Sequence, residues 1–318
     1  MVATTPIVPL VYTQSYRLMG NNFSFSVVSN DEQQAQRCMV MAVEEVRRIE
    51  ALLTTYADNS QTNLINRNAG VEPVKVDQEV FNLIERCVKI SRLTQGAFDI
   101  TYGSLDKRFW NFDKNMTALP SRATAKQLVR LINYENIILD RASRTVYLKQ
   151  KGMRIGFGGI GKGYAADRAK IVMQEEGVRN GIVNAAGDLT VWGTQANGKP
   201  WTIGIAAPDC KHLPFASLAL SDISVATSGN YEKFVIIDGV KYSHTIDPKT
   251  GYPVRGIKSV TIISSSAEVA DALATPVTVM GIKAGLNLIN QLKNVGCIII
   301  DDNDTIYTSK NINLKGEL

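Results

Sequence analysis

The sequence has 318 residues, of which 45% are apolar and 20% are charged, and its formal net charge is +5. These proportions are ordinary for a folded globular protein, and the mild charge without a dense run of lysine or arginine argues against a nucleic-acid partner. No stretch of about 18 apolar residues is present, so no membrane span is expected, and the four cysteines lack the short paired spacing of a zinc site.

The chain contains many short segments whose apolar residues recur either at helical spacing or at every second position. Their order is mixed rather than strictly alternating, so the sequence predicts an α+β fold with largely antiparallel sheets packed against helices. The predicted strands are 11–28 with a break at 20–22, 137–139, 145–148, 181–186, 188–193, 201–206, 217–220, 223–226, 234–237, 241–246, 257–263, 297–300 and 305–308. The predicted helices are 31–55 after the N-cap Asp31, 77–95 before Gly96, 125–132, a helix after Gly163, 268–280 and 282–291, and 54–68 is predicted to be a loop.

A glycine-rich stretch lies near the middle of the chain. Between Arg154 and Arg168 five glycines fall within eight positions, and a helical pattern follows directly. Such a turn lets backbone N–H groups approach an anion, and the N-terminus of a helix favours negative charge. Lys162 would add a positive charge for a phosphate. The pattern fits a tight turn without a ligand equally well, since Gly163 follows Lys162 where a nucleotide-triphosphate loop has serine or threonine.

The sequence contains two histidines. His212 lies in a polar stretch typical of the surface, whereas His244 lies where a predicted strand runs into a turn rich in proline and glycine. A side-chain pKa near neutrality suits a general base. His244 is therefore a candidate catalytic base, with a half-buried structural histidine as the alternative.

Asp271 and Thr275 are four residues apart, which puts them on one face of the predicted helix 268–280. A carboxylate and a hydroxyl are hard oxygen ligands of the kind that Mg²⁺ prefers. One alternative is a first-turn acid and a capping or surface hydroxyl without a metal. Pro276 gives a second alternative. Proline is tolerated in the first turn of a helix, so the helix could begin near Thr275. In that case Asp271 and Thr275 would not share a helix face.

Five segments carry the motifs that identify a family, and they are Gly158–Ala165, Val183–Asp188, Ala226–Glu232, Tyr242–Pro248 with Thr250–Pro253, and Ala270–Thr275. Shorter matches in the first half are Met19-Gly20, Thr55-Tyr56 with Ser60 and Asn66, and Gly96–Asp99. In this order and spacing the motifs resemble the ApbE family of FAD:protein FMN transferases, over roughly residues 15 to 300.

The resemblance implies an ApbE-like (T-fold-like) flavin transferase domain at 15–300, an N-terminal extension at 1–14 and a C-terminal hairpin and tail at 301–318. It implies an enzyme that binds FAD and Mg²⁺ and transfers FMN to a threonine or serine hydroxyl of a target flavoprotein, releasing AMP. By similarity, Asp271, Thr275 and the backbone carbonyl of Gly161 hold the metal, and His244 takes the proton from the hydroxyl. The positions that match FAD contacts in the family are Met19, Tyr56, Ala97, Phe98, Asp99, Gly158, Tyr164 and Thr245, and Lys162 shapes the glycine turn or reaches phosphate.

Several positions depart from the usual family pattern. Gly156 stands where the family usually has aspartate, Gly161 where alanine is common, and Ala186 where glycine is usual. Gln61 stands where glutamate is frequent, and Pro276 directly follows Thr275. None of these changes removes a side chain to which chemistry is assigned.

Two other functions would use the same residues. With water as the nucleophile the protein would be an FAD pyrophosphatase giving FMN and AMP, and without turnover it would be a flavin-binding protein. A base beside a metal favours an enzyme, because binding alone requires neither. Residues 1–10 lack the basic start and long apolar run of a signal peptide, so we expect a cytoplasmic protein if the chain is full length, and a periplasmic or cell-envelope protein if a signal or lipid anchor was removed.

Overall fold

The computed structural model describes residues 9–106, 118–207, 210–229, 234–237 and 239–312. The strands are β1 Leu10–Leu18, β2 Asn21–Ser29, β3 Val74–Lys75, β4 Ile137–Asp140, β5 Thr145–Leu148, β6 Gly181–Ala185, β7 Asp188–Trp192, β8 Trp201–Ala207, β9 Cys210–Leu220, β10 Ile223–Gly229, β11 Phe234–Ile237, β12 Val240–Ser243, β13 Ile257–Ser264, β14 Val295–Asp301 and β15 Ile306–Thr308. The α-helices are α1 Glu32–Leu53, α2 Gln61–Arg67, α3 Gln78–Leu93, α4 Arg122–Leu128, α5 Gly161–Glu175, α6 Ala267–Met280 and α7 Ile282–Ile289.

An eight-stranded sheet forms the centre of the molecule. Its strand order is β1-β2-β6-β7-β10-β13-β14-β15, and each neighbouring pair is antiparallel. The predicted α+β class with a largely antiparallel sheet is therefore confirmed. In the described part of the chain, none of the helices combines the length and the apolar composition of a membrane span.

Helices α1, α5 and α6 pack against one face of this sheet. Every second residue of β2 faces the helices, so Phe23, Phe25 and Val27 are buried in the main core. The apolar positions of α1 recur at three and four as predicted, and its N-cap Asp31 accepts a hydrogen bond from the Gln34 backbone N–H at 3.1 Å. On the other face, residues of the β8–β9 hairpin pack against β7.

Smaller units surround the central sheet. One is the three-stranded sheet β3-β5-β4, which lies near α2 and α3. A second unit contains α4 and the β11–β12 hairpin, which share a small apolar core of their own. This second unit carries the segment that follows β12, where His244 lies.

The prediction of a loop at 54–68 is wrong, because helix α2 lies within this range. Ser60 caps this helix by accepting the Asn63 N–H at 3.1 Å, and Asn66 bonds both backbone groups of Ile155. The helix buries the polar residues Thr62, Asn63 and Asn66 beside a single apolar residue, Ile65, instead of an apolar stripe. Apolar periodicity, the main sequence signal for a helix, is therefore missing from it.

Helix α6 begins at Ala267 and continues through Pro276. The alternative of a helix that begins near Thr275 is therefore wrong. Asp271 and Thr275 share one face of α6, as their spacing predicts.

The two terminal segments named from the sequence, 1–14 and 301–318, each contribute residues to a strand of the central sheet. Strand β1 begins at Leu10, inside the predicted extension 1–14, and pairs with β2 along its whole length. Strand β15 pairs with β14 and belongs to the central sheet.

Two hairpin turns lie side by side at one end of the sheet. Met19 and Gly20 join β1 to β2 with φ of 51° and 72°, and Ala186 and Gly187 join β6 to β7 with φ of 56° and 100°. Positive φ at both central residues is the type I′ geometry that matches strand twist. The Ala186 N–H donates to the Asn22 carbonyl at 3.1 Å, which ties the two turns together.

Replacing Ala186 by glycine should raise the free energy of unfolding by about 0.5–1 kcal/mol. The left-handed region costs a non-glycine residue roughly 1–2 kcal/mol, and the added flexibility of glycine offsets part of that gain. Urea denaturation measures the change. The control Ala51→Gly, at an exposed position of α1, should lower the same free energy by about 1 kcal/mol. A loss of stability in both variants would contradict the strain at Ala186.

Candidate functional site

The glycine turn leads directly into α5. The Phe157 carbonyl accepts hydrogen bonds from the N–H groups of Ile160 at 3.2 Å and Gly161 at 2.7 Å, and α5 begins at Gly161. None of the five glycines between 156 and 163 has a positive φ. Their backbone angles therefore do not require glycine, and only at Gly163 does the lack of space require it.

The space at Gly158 is open and the space at Gly163 is filled. A Cβ atom added at Gly158 would meet nothing within 4 Å, so the backbone there is open to a ligand. A Cβ atom added at Gly163 would lie 2.1 Å from the Ala267 carbonyl oxygen and 2.8 Å from the Cβ of Asp271. Gly163 thus lets α5 and α6 touch.

This contact brings a buried carboxylate to the start of α5. The Gly163 N–H donates to Asp271 Oδ2 at 2.9 Å. In a regular helix that N–H would bond the carbonyl of Gly159, and no hydrogen bond to that carbonyl occurs among the described residues. The Gly159 carbonyl is therefore available to a ligand beside Asp271.

Gly161 was predicted to offer the carbonyl ligand for the metal. As the first residue of α5 it directs its carbonyl into the helix, towards the N–H four residues later. The role of Gly161 stays a prediction, and the Gly159 carbonyl, which accepts no hydrogen bond among the described residues, is a second candidate.

Two buried acids share a single lysine at this position. Asp188 is 3% exposed, accepts the Thr227 backbone N–H and pairs with the Lys162 ammonium group. Burial raises the pKa of Asp188, and Lys162 opposes this. Burial raises the pKa of Asp271 to about 7, and the negative charge of Asp188 nearby adds to this effect. The Lys162 ammonium group and the backbone N–H groups of Gly163 and Lys162 act in the opposite direction. One ammonium group does not balance two carboxylates, so a bound cation would stabilise the pair.

The donor set suits a hard divalent cation. The Asp271 carboxylate and the Thr275 hydroxyl share one face of α6, and the Gly159 carbonyl belongs to the turn that leads to Gly163, whose N–H binds Asp271. No cluster of three or more histidine, cysteine, aspartate or glutamate side chains with metal-binding geometry occurs in the described part of the chain. Such a cation would therefore take its remaining ligands from neutral oxygens, an arrangement that Mg²⁺ accepts readily, with waters and substrate phosphates.

Other predicted residues surround the glycine turn. The Met19 Cε lies 3.4 Å from the position of a Gly161 Cβ, and the Phe98 ring lies 3.7 Å from that of a Gly159 Cβ. Tyr56 follows Thr55, whose methyl lies 3.9 Å from the position of a Gly156 Cβ. The Tyr56 side chain is 98% exposed, and such an exposed aromatic ring can stack on a planar ligand.

Asp99 and Tyr164 make contacts within the chain. Asp99 Oδ1 accepts the N–H and hydroxyl of Thr101 at 2.8 and 2.6 Å, and Oδ2 accepts the Tyr134 N–H at 2.7 Å. Tyr164 is buried, and its hydroxyl donates to Glu79 of α3. These contacts give both side chains a packing role, and their contact with FAD stays a prediction.

The segment with His244 is anchored to the rest of the molecule on both sides. His244 is exposed directly after β12, whereas Thr245 is buried. The Tyr102 hydroxyl accepts the Ile246 N–H at 3.3 Å, which ties this segment to the residues that follow Asp99. Gly251 has φ of 75°, and a Cβ there would lie 2.1 Å from the Ala125 carbonyl oxygen, so only glycine fits this turn against α4.

Two cavities lie apart from the glycine turn. One of about 470 Å³ is lined by Asp99, Gly96, Tyr134 and Lys249, among others. Another of about 880 Å³ lies beside Ile223 and Val295 and contains none of the predicted site residues. The candidate site therefore lies at the glycine turn because of the chemical groups that meet there, and not because a large cavity is present.

The family model for the ApbE family matches residues 19–299. The chain belongs to the ApbE family. An FAD:protein FMN transferase of Klebsiella pneumoniae is 32% identical over 302 residues, which cover 94% of this chain and 92% of the relative. Another of Treponema pallidum is 30% identical over 290 residues, covering 85% of this chain and 80% of the relative.

Solved ApbE structures share the fold. The crystal structure of the ApbE protein from Thermotoga maritima matches with a TM-score of 0.84 and 31% identity, covering 95% of this chain and 98% of that one. The flavin transferase ApbE from Vibrio cholerae also matches with a TM-score of 0.84, at 24% identity, covering 98% and 100%. The ApbE-like architecture predicted from the motifs is confirmed.

Sequence reasoning gives no specific role to three residues that build this site. Asp188 lies inside a recognised motif, and its position in a turn at a strand end indicates only that it lines a pocket. Gly159 was one glycine among five. Asp167 looked like an ordinary polar position on a helix, although its side chain reaches α6.

The two kinds of glycine should respond differently to an added methyl group. Gly163→Ala should lower the free energy of unfolding by about 1–3 kcal/mol, because the methyl would force α5 and α6 apart. Gly158→Ala should change it by less than about 0.5 kcal/mol, since nothing lies near its Cβ. Urea denaturation without ligand compares the two, and similar losses would contradict the assignment.

Proposed function

We propose that this chain is an FAD:protein FMN transferase, which moves the FMN half of FAD to a hydroxyl group of a target flavoprotein and releases AMP. Membership of the ApbE family and the activity named for its relatives support the proposal. The observation that carries it is the hydrogen bond from Gly163 to the buried Asp271, which joins an open glycine turn to a carboxylate.

The reaction is a phosphoryl transfer. The acceptor oxygen, which we assign to threonine or serine, forms a bond to the phosphorus of the FMN half while the bond from that phosphorus to the AMP oxygen breaks. The proton of the acceptor hydroxyl passes to His244, whose exposed position after β12 lets a protein substrate reach it. The products are a phosphoester-linked flavin and AMP.

Asp271, Thr275 and the carbonyl of Gly159 would hold Mg²⁺, with Gly161 as the alternative carbonyl. When bound, the ion neutralises charge on the pyrophosphate and on the departing AMP. Lys162 supplies a positive charge at the same end of α5, and Asp188 orients its ammonium group.

The residues that match flavin contacts by similarity lie at different positions relative to the glycine turn. Met19, Phe98 and Gly158 lie at the turn, and Tyr56 is exposed next to it. Ala97 and Thr245 are buried on the neighbouring segments. The Asp99 side chain ties the segment of Ala97 to Tyr134, and the Tyr164 hydroxyl ties α5 to Glu79 of α3.

Replacing His244 by alanine should lower the rate of AMP release by about 10²–10⁴-fold, the usual contribution of a general base. FAD affinity should stay unchanged, because the glycine turn is intact. Chromatography of AMP measures turnover, and quenching of flavin fluorescence measures binding. His212→Ala is the matched control and should behave as the parent protein. Unchanged turnover in His244→Ala would remove His244 from the mechanism.

Removal of divalent cations with a chelator should abolish AMP release, and added Mg²⁺ should restore it. Asp271→Asn keeps an acceptor for the Gly163 N–H but loses the charge, so the Mg²⁺ concentration for half-maximal activity should rise by more than about tenfold. AMP release that survives the chelator would contradict a metal at Asp271.

A further inference from the structure

The first turn of α6 is held by a side chain from a different helix. Asp167 of α5 accepts the Ala267 N–H through Oδ1 at 2.9 Å. Its Oδ2 accepts the Glu268 N–H at 3.0 Å and the Ser266 hydroxyl at 2.7 Å. One carboxylate thus binds three donors at the N-terminus of α6, where backbone N–H groups lack partners within the helix.

A second contact lies one turn along both helices. Gly163 precedes Asp167 by four residues on α5, and Asp271 follows Ala267 by four residues on α6. The Gly163 N–H donates to Asp271, and Gly163 touches the Ala267 carbonyl with no room for a Cβ. The two contacts fix both the separation of the helices and their register along the axis.

Asp167 does more than cap α6. That helix already has a cap of its own, because the Ser266 hydroxyl accepts the Val269 N–H at 3.3 Å. Arg86 of α3 also forms an ion pair with Glu268 in the first turn of α6, but this pair fixes the end of the Glu268 side chain and not the backbone of the turn. Among the described contacts, the backbone of the first turn is therefore bound to α5 by Asp167.

We propose that Asp167 is a positioning residue, which sets the register of α6 against α5 and thereby holds Asp271 and Thr275 at the glycine turn. This rests on the proposed function, in which those two side chains hold the divalent cation. Outer groups that orient metal ligands commonly change metal affinity by about 10–100-fold when they are removed.

Binding of Mn²⁺ to the full chain with FAD tests the proposal, measured from the electron paramagnetic resonance signal of free Mn²⁺. Asp167→Ala should weaken Mn²⁺ binding by about 10–100-fold. Asp167→Asn keeps one acceptor oxygen and should weaken it by a smaller factor. Raising the Mn²⁺ concentration should bring AMP release of both variants back towards that of the parent.

Asp31→Ala is the matched control, because Asp31 caps α1, which carries none of the site residues. It should lower the melting temperature and leave Mn²⁺ affinity unchanged. If Asp167→Ala also changed only the melting temperature, Asp167 would be a cap and the proposal would be wrong. Equal weakening in Asp167→Asn and Asp167→Ala would overturn it as well, because loss of charge alone would explain both. If the parent protein bound no Mn²⁺, the metal site of the proposed function would fail first, and this proposal with it.

Discussion

The contact between α5 and α6 at Gly163 is the constraint on which the site depends. The start of α5 is the glycine turn, and α6 carries Asp271, so the distance between the two helices decides whether the carboxylate reaches the turn. A side chain at position 163 would separate them. The contact also diverts the Gly163 N–H from Gly159, and it buries Asp271 near Asp188 and Lys162. The contact at Gly163 therefore determines both the position of the Asp271 carboxylate and its electrostatic surroundings.

Most of the fold could be predicted from sequence periodicity. Most of the antiparallel strands, α1 with its cap at Asp31, and α6 followed by α7 agree with the predicted elements within a few residues. The exceptions are β9, which begins at Cys210 instead of position 217, and the two-residue strand β3, which the sequence did not predict. Helix α2 could not be predicted, because it is short and buries polar side chains that bond to other segments. Pro276 made the start of α6 ambiguous, and packing of the helix against the sheet outweighs the hydrogen bond that proline cannot make.

The candidate site was predictable where motifs mark it and unpredictable where it depends on contacts between segments. The glycine turn, His244 and the pair Asp271 and Thr275 were each marked by residue type and spacing. The free carbonyl at Gly159 and the link from Asp167 to α6 depend on how two helices meet, and no single segment encodes this. Spacing also cannot tell a ligand contact from a packing contact, as Tyr164 shows through its bond to Glu79.

Transfer of FMN to a protein is tested most directly by the intact mass of an acceptor flavoprotein after incubation with this chain, FAD and Mg²⁺. The Klebsiella pneumoniae relative serves in parallel to show that the acceptor is competent. A mass gain of one FMN on the acceptor, with one AMP released for each, is the expected result. AMP and free FMN with an unmodified acceptor would instead indicate a pyrophosphatase, and intact FAD would contradict catalysis altogether.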